Sequence, residues 1–165
     1  MKLASRWLTG PIVWLSVLCI IEGCTSLDLF EKSVPLPAQR WESTYRPSFD
    51  FIISDTTARY DVALVLRHRD RYHYNNIWLR ISITDPLGKK YSFDTDLLLG
   101  TNESGWLGAG MDDIYEHRIS LQEELLTAGV SFRQTGTYRF AIEQLMREDP
   151  LEEVMNVGLR IEKKP

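Results

Sequence analysis

Three histidines and a pair of adjacent aspartates are the side chains of this sequence that could hold a metal ion. His68 and His73 lie five residues apart, but the arginines around them would repel a cation, so the sequence favours a solvated loop. His117 alternates with apolar residues, which indicates a satisfied, partly buried side chain. Asp112 and Asp113 follow a glycine-rich segment and could bind Ca²⁺, yet they lack the spaced oxygen ligands of a calcium loop. We therefore predict no metal and no cofactor, and an aspartate that pairs with an arginine instead.

Motifs that would indicate an enzyme are missing from the sequence. The serines do not lie in a Gly-x-Ser-x-Gly elbow, and no glycine-rich loop leads into a helix to bind phosphate. We predict that the protein has no catalytic residues and is not an enzyme, and a hydrolase ranks last among the function hypotheses.

Aromatic and arginine side chains are concentrated in two segments, Arg69–Asn76 and Gly105–Asp113. Such side chains dominate binding hot spots, and loops on a rigid scaffold usually display them. We predict that the two loops lie near each other and form a partner-binding end. The alternatives are a glycan site, in which exposed tryptophans stack on sugars, and packing, in which a tryptophan plugs the end of the domain. The candidate partner surface consists of Arg69, Tyr72, Tyr74, Trp78, Trp106, Asp112 and Asp113.

Both cysteines of the chain lie near its N terminus. Lys2 and Arg6 precede an uncharged stretch, residues 7–21, that is shorter than the about 20 apolar residues of a membrane span and typical of a signal peptide. The stretch leads to Cys24, and this junction resembles the bacterial lipobox. The resemblance implies that residues 1–23 are removed as a signal peptide and that acyl chains on Cys24, palmitate among them, anchor the protein in a membrane.

Period-two alternation of apolar and polar residues predicts strands with one face in a core. The alternating runs are 49–54, 60–67, 77–84, 115–121, 138–143 and 157–162. Many short strands at this spacing predict an all-β fold, an antiparallel β-sandwich of jelly-roll or immunoglobulin-like type, over residues 41–165. Residues 24–40 contain prolines that favour an extended tether, and short helical turns are predicted at 121–126 and 149–153.

The composition indicates a single packed domain and excludes some kinds of partner and site. Of the 165 residues 44% are hydrophobic, which is enough for a packed core. Removing residues 1–23 leaves 17 basic and 22 acidic residues, a net charge of −5, so a nucleic-acid partner is excluded. No cysteine follows residue 24, and a disulfide framework or a zinc-thiolate site is therefore excluded as well.

Four segments in a fixed order follow the cysteine junction: 67–79, 105–116, 138–149 and 157–161. Together they resemble the gliding-motility lipoproteins of the GldH type, over nearly the whole mature chain. The resemblance implies a cell-envelope lipoprotein required for gliding, which works beside other motility or secretion-machine lipoproteins and has no established catalytic residues.

The leading hypothesis is therefore an outer-membrane lipoprotein of the gliding apparatus that acts as an interaction or structural subunit. The alternative is a glycan- or surface-binding lipoprotein of the cell envelope. The residues after Cys24 lack the dense acidic cluster that some surface-exported lipoproteins carry, which favours the periplasmic side of the outer membrane.

Overall fold

Two antiparallel β-sheets form a sandwich in the computed structural model, which describes residues 29–164. The five-stranded sheet has the order β1-β13-β4-β10-β9, the four-stranded sheet has the order β3-β11-β5-β6, and β12–β2 and β7–β8 are short pairs. The elements are β1 (Leu29–Pro35), β2 (Arg40–Trp41), β3 (Ser48–Ile53), β4 (Arg59–Arg69), β5 (Asn76–Thr84), β6 (Lys90–Leu98), β7 (Gly100–Thr101), β8 (Gly105–Trp106), β9 (Ala109–Met111), β10 (Ile114–Ser120), α1 (Gln122–Thr127), β11 (Gly136–Gln144), β12 (Leu151–Glu152) and β13 (Val154–Lys164), with a 3₁₀ turn at Pro37–Gln39.

The core lies between the two sheets and consists of the inward side chains of the predicted runs. Phe49, Leu64, Ile81, Phe140 and Leu159 are all buried there, and each comes from a different strand. Burying one such side chain stabilises the fold by roughly 1.5–3 kcal/mol, so this apolar layer is what holds the sheets together. The predicted all-β sandwich and its six alternating runs are confirmed.

Three parts of the chain differ from the sequence prediction. Leu29–Pro35 was expected in the tether, but its residues pair one by one with β13 as an edge strand, so the folded domain begins earlier than expected. Strand β6 was not predicted, because its inward positions include a threonine and only part of its inner face is buried. Residues 149–153 do not form a helical turn, since Asp149 accepts hydrogen bonds from Ser43 and the following residues pair with β2.

The strands give the sandwich two distinct ends. At the tether end β1 and β4 begin, β13 ends, and the chain turns at 54–58, 85–89 and 129–135. At the far end β4 ends and β5 and β10 begin. This end also contains the loops 70–75 and 99–113. The predicted signal peptide and Cys24 lie outside the described residues. Between residues 29 and 164 no helix is long and apolar enough to cross a membrane.

Candidate functional site

The two loops rich in aromatic residues meet at the far end of the sandwich. The Asp70 N–H donates to the carbonyl oxygen of Asp113 at 2.8 Å, and the Leu99 N–H donates to that of Asn75 at 2.7 Å. The Arg69 guanidinium pairs with the Asp113 carboxylate. The loops are therefore held together by backbone hydrogen bonds and by the predicted type of aspartate–arginine pair.

A pair of histidines lies beneath these loops, on neighbouring strands of the five-stranded sheet. The rings of His68 and His117 stack with their centroids 4.9 Å apart. His68 Nδ1–H donates to the carbonyl oxygen of Arg69 at 2.7 Å, so His68 Nε2 accepts from the Nε2–H of His117 at 2.9 Å. Burial lowers the pKa of both rings, and for His117 burial together with the neighbouring His68 lowers it to about 4. Both histidines are thus neutral at physiological pH.

The structure separates the three histidines that the sequence singled out. The expected solvated loop is wrong for His68, because the alternation along β4 turns its ring into the core beyond Leu66. It is correct for His73, whose exposed ring lies 3.1 Å from the Glu148 carboxylate. The partly buried, satisfied side chain expected of His117 is confirmed.

Aromatic rings cover the histidine pair and connect it to the loops. Trp106 contacts His68 with a centroid separation of 4.4 Å, and Tyr72 and Tyr115 lie 5.1 and 5.9 Å from the same ring. Tyr72 is only 4% exposed and its hydroxyl donates to the carbonyl oxygen of Asn76 at 3.0 Å. Burial raises the pKa of that hydroxyl. Tyr72 and the partly buried Trp106 therefore pack on the histidine pair, which is the arrangement that the packing alternative describes.

Gly108 allows the loop 99–113 to lie directly on the histidine pair. A Cβ at Gly108 would be 2.6 Å from the carbonyl oxygen of Glu116 and 2.9 Å from the ring of His117. Only glycine fits such an approach without displacing backbone. Gly108 thus allows this loop to pack closely on the histidine pair.

Several apolar side chains at the far end remain exposed, and we call three of them the apolar strip: Trp78, Leu98 and Leu107. Trp78 is 44% exposed on the outer face of the four-stranded sheet, and Leu98 lies diagonally across from it on β6. Leu98 and Leu107 line an open cleft of about 310 Å³ at the edge between the two sheets. Neither leucine was predicted as a site residue from the sequence, although the alternation of β6 places Leu98 outward.

The remaining predicted site residues surround this strip or support it. Tyr74 is half-buried and packs edge-on against Tyr72, with centroids 5.8 Å apart. Asp112 is exposed at the tip of its turn with a φ of 56°, while Asp113 is held by Arg69. Within residues 29–164 no cluster of three or more histidine, cysteine, aspartate or glutamate side chains could hold a metal ion.

Comparison with known proteins places this domain in a family. The sequence model of the family described as GldH lipoprotein matches residues 28–161, which includes every strand of the sandwich except the last residues of β13. The chain belongs to the GldH lipoprotein family. It is therefore a membrane-anchored lipoprotein of the gliding-motility type, and the resemblance stated from the sequence is confirmed.

Two GldH relatives match along nearly their whole length. The gliding motility lipoprotein GldH homolog of Christiangramia forsetii is 25% identical over 158 residues, which cover 92% of this chain and 93% of the relative. Gliding motility lipoprotein GldH of Flavobacterium johnsoniae is 28% identical over 154 residues, which cover 88% and 91%. No solved structure matches this chain.

Proposed function

We propose that this GldH family member is an outer-membrane lipoprotein of the gliding-motility apparatus that faces the periplasm and acts as a non-enzymatic interaction subunit. Its partners are other lipoproteins of the motility or secretion machinery. The observation that carries the proposal is the apolar strip, which stays exposed at the far end on top of a tightly packed base.

The chemistry of the far end suits protein binding. Exposed apolar side chains grouped beside a cleft mark an interaction site, and tryptophan is among the side chains that dominate binding hot spots. Asp70, Glu103 and Asp112 are exposed around them and form no ion pair with any of the described residues. An acidic rim of this kind steers a partner with basic groups and disfavours an acidic one.

Rigidity of the base supports the same proposal. The rings of His68, Trp106 and Tyr72 interlock beneath the loops, and the loops are bonded to each other through their backbones. A surface that is ordered before binding loses less conformational entropy when the partner arrives.

A glycan-binding function is the alternative, and Trp78 alone favours it. This exposed ring lies opposite Asp96 on the outer face, where Asp96 accepts a hydrogen bond from Asn76 at 2.6 Å. Stacking on the ring and hydrogen bonding to these polar groups would suit a sugar. Trp106 does not provide a second ring for a sugar to stack on, because it is packed against His68.

Changing Trp78 and Leu98 together to alanine is expected to abolish gliding and partner capture. Both side chains are exposed, so the free energy of unfolding is expected to change by no more than about 0.5 kcal/mol for each substitution. The measurements are colony spreading, isolation of the tagged lipoprotein with its bound proteins, and urea unfolding.

Leu126→Ala is the matched control, because Leu126 is an exposed leucine on α1, away from the apolar strip. It is expected to leave gliding and partner capture unchanged. Normal gliding in the double variant would contradict the interaction proposal. Loss of polysaccharide binding with partner capture intact would replace it with the glycan alternative.

The membrane anchor is proposed to be Cys24, and its replacement by serine is expected to remove all lipid from the protein. Growth with radioactive palmitate labels the unchanged chain, whereas Cys24→Ser leaves it unlabelled and releases it from the membrane fraction. Cys19→Ser serves as the control and keeps the label. Label that persists without Cys24 would assign the acylation elsewhere. Protection of the labelled protein from protease in intact cells, followed by digestion after lysis, is the result expected of the periplasmic side.

A further inference from the structure

The tether end of the sandwich carries exposed positive charge that is not neutralised by neighbours. Arg59, Lys89, Lys90 and Arg133 are all exposed and form no ion pair with any residue between 29 and 164. They come from the starts of β4 and β6 and from the turns at 85–89 and 129–135, so the topology brings them to one end. The ammonium of Lys89 lies 4.5 Å from the centre of the Tyr91 ring, which keeps it in place over an apolar surface.

The far end has the opposite character. Most of its arginines form ion pairs, such as Arg69 with Asp113 and Arg71 with Glu153. Arg147 forms no ion pair with any of the described residues. Asp112 and its neighbours in the acidic rim are exposed without such partners among the described residues. The exposed cations without ion-pair partners among the described residues thus lie mainly at the tether end, although Glu123 of α1 is an exposed acid there, whereas unpaired exposed carboxylates such as Asp112 lie at the far end.

An apolar side chain projects from the middle of the positive end. Leu87 lies in the 85–89 turn and is 75% exposed. The Asp85 carboxylate accepts hydrogen bonds from the backbone N–H groups of Leu87 and Lys89, at 2.9 and 2.8 Å, so the turn is fixed with Leu87 pointing outward. An exposed apolar side chain followed closely by lysines combines the two features with which proteins bind a bilayer interface, apolar burial and attraction to anionic lipids.

The length of chain before β1 places this end near lipid. Five residue steps separate Cys24 from Leu29 and span at most roughly 18 Å. β4 and β13, with 11 residues each, extend about 36 Å toward the far end. A lipid attached at Cys24 therefore keeps the tether end within reach of the membrane surface, while the far end is free to project from it.

We infer that the tether end of the sandwich seats on the anionic surface of the bilayer, with Leu87 in the head-group layer and Arg59, Lys89, Lys90 and Arg133 beside anionic head groups. This orientation points the apolar strip away from the membrane, toward a partner. The inference rests on the proposed anchor at Cys24, and it adds a lipid-binding surface to the domain. Anionic head groups attract such cations within about a Debye length of the surface.

Fluorescence quenching in vesicles tests this seating with the complete lipidated chain. Leu87→Cys and Met111→Cys carry an environment-sensitive label, because both residues are 75% exposed and lie at opposite ends. Acylated Cys24 has no free thiol to react with the label. The protein is inserted into phosphatidylethanolamine vesicles that contain phosphatidylglycerol as the minor, anionic lipid, together with a nitroxide on the head group of a trace lipid. We expect strong quenching at position 87 and none at position 111.

Charge reversal provides the second arm of the experiment. Lys89→Glu with Lys90→Glu is expected to reduce quenching at position 87 to the level found at position 111, and neutral phosphatidylcholine vesicles are expected to do the same. Lys32→Glu, at an exposed position in the middle of β1, is the control that leaves quenching unchanged.

The outcomes separate failure of the seating from failure of the anchor. Protein that does not remain on the vesicles overturns the anchor at Cys24 and the seating with it. Protein that remains on the vesicles with equal quenching at both positions overturns the seating alone. Quenching at position 87 that is insensitive to charge reversal and to lipid charge overturns the electrostatic basis of the seating. Gliding and partner capture by the apolar-strip variants are measured separately and decide the interaction proposal.

Discussion

Replacing Tyr72 by alanine is expected to lower the free energy of unfolding by about 3 kcal/mol or more. The ring is almost fully buried, packs on His68, Tyr74 and Trp106, and its hydroxyl donates to the carbonyl oxygen of Asn76. Alanine would leave a cavity beneath both loops and a carbonyl without its donor. Urea unfolding of the unacylated mature chain measures the change.

Two further variants separate packing from recognition. Tyr72→Phe keeps the ring and loses only one hydrogen bond, so about 1 kcal/mol is expected. Trp78→Ala, which removes an exposed ring, is expected to stay within about 0.5 kcal/mol of the unchanged protein. If Tyr72→Ala kept its stability but failed to capture a partner, Tyr72 would belong to the recognition surface, as the sequence indicated.

The difference between Tyr72 and Trp78 shows how far the sequence could predict the site. Trp78 lies within a long alternating run, and a period of two decides its face without any knowledge of the rest of the fold. Tyr72 lies in a loop, where no period applies. Its burial depends on a ring of His68 that stacks on His117, 49 residues away along the chain. Composition indicated that the two loops meet, but not which of their aromatic side chains point inward.

The two longest strands that the sequence missed, β1 and β6, are both at sheet edges. On β1 only part of one face contacts the core, through side chains such as Phe30, so its alternation is weak. Its exposed Glu31 instead pairs with Arg160 of β13 at 2.6 Å, a contact between residues 129 positions apart. On β6 the buried face includes Thr95, whose hydroxyl donates to the Glu124 carboxylate of α1. Edge strands are recognised from their partners, and a single sequence does not provide those partners.

Acidification is expected to destabilise the domain between about pH 6.5 and pH 4, through the buried histidine pair. In the unfolded chain a histidine takes up a proton near its ordinary pKa of about 6.5, whereas His117 in the folded domain has a pKa of about 4. Over this interval the unfolded state therefore binds more protons, and the free energy of unfolding falls as the pH falls. A shift of this size corresponds to about 3 kcal/mol for His117, and the lowered pKa of His68 acts in the same direction.

The hydrogen bonds of the pair explain why the site resists a proton. His68 Nδ1–H is engaged by the Arg69 carbonyl oxygen, and a single proton lies between the two Nε2 atoms. A proton added to His68 Nε2 would force His117 into its other tautomer, and a proton on either ring would place a positive charge among Tyr72, Trp106 and other rings. Neither histidine of the pair forms an ion pair with any carboxylate between residues 29 and 164 that would stabilise that charge. Burial is thus the dominant cause of the lowered pKa values.

Urea unfolding at a series of pH values tests whether the buried histidine pair causes this loss of stability. His117→Phe and His73→Phe are compared as a matched pair. His117→Phe leaves His68 Nε2 without a donor and is expected to cost about 1–3 kcal/mol at neutral pH, yet the loss of stability between pH 6.5 and pH 4 is expected to shrink to less than half. His73 is exposed beside Glu148, so His73→Phe is expected to retain the full decline. A decline of equal size in His117→Phe and in the unchanged protein would show that other groups, and not the buried pair, make the domain sensitive to acid.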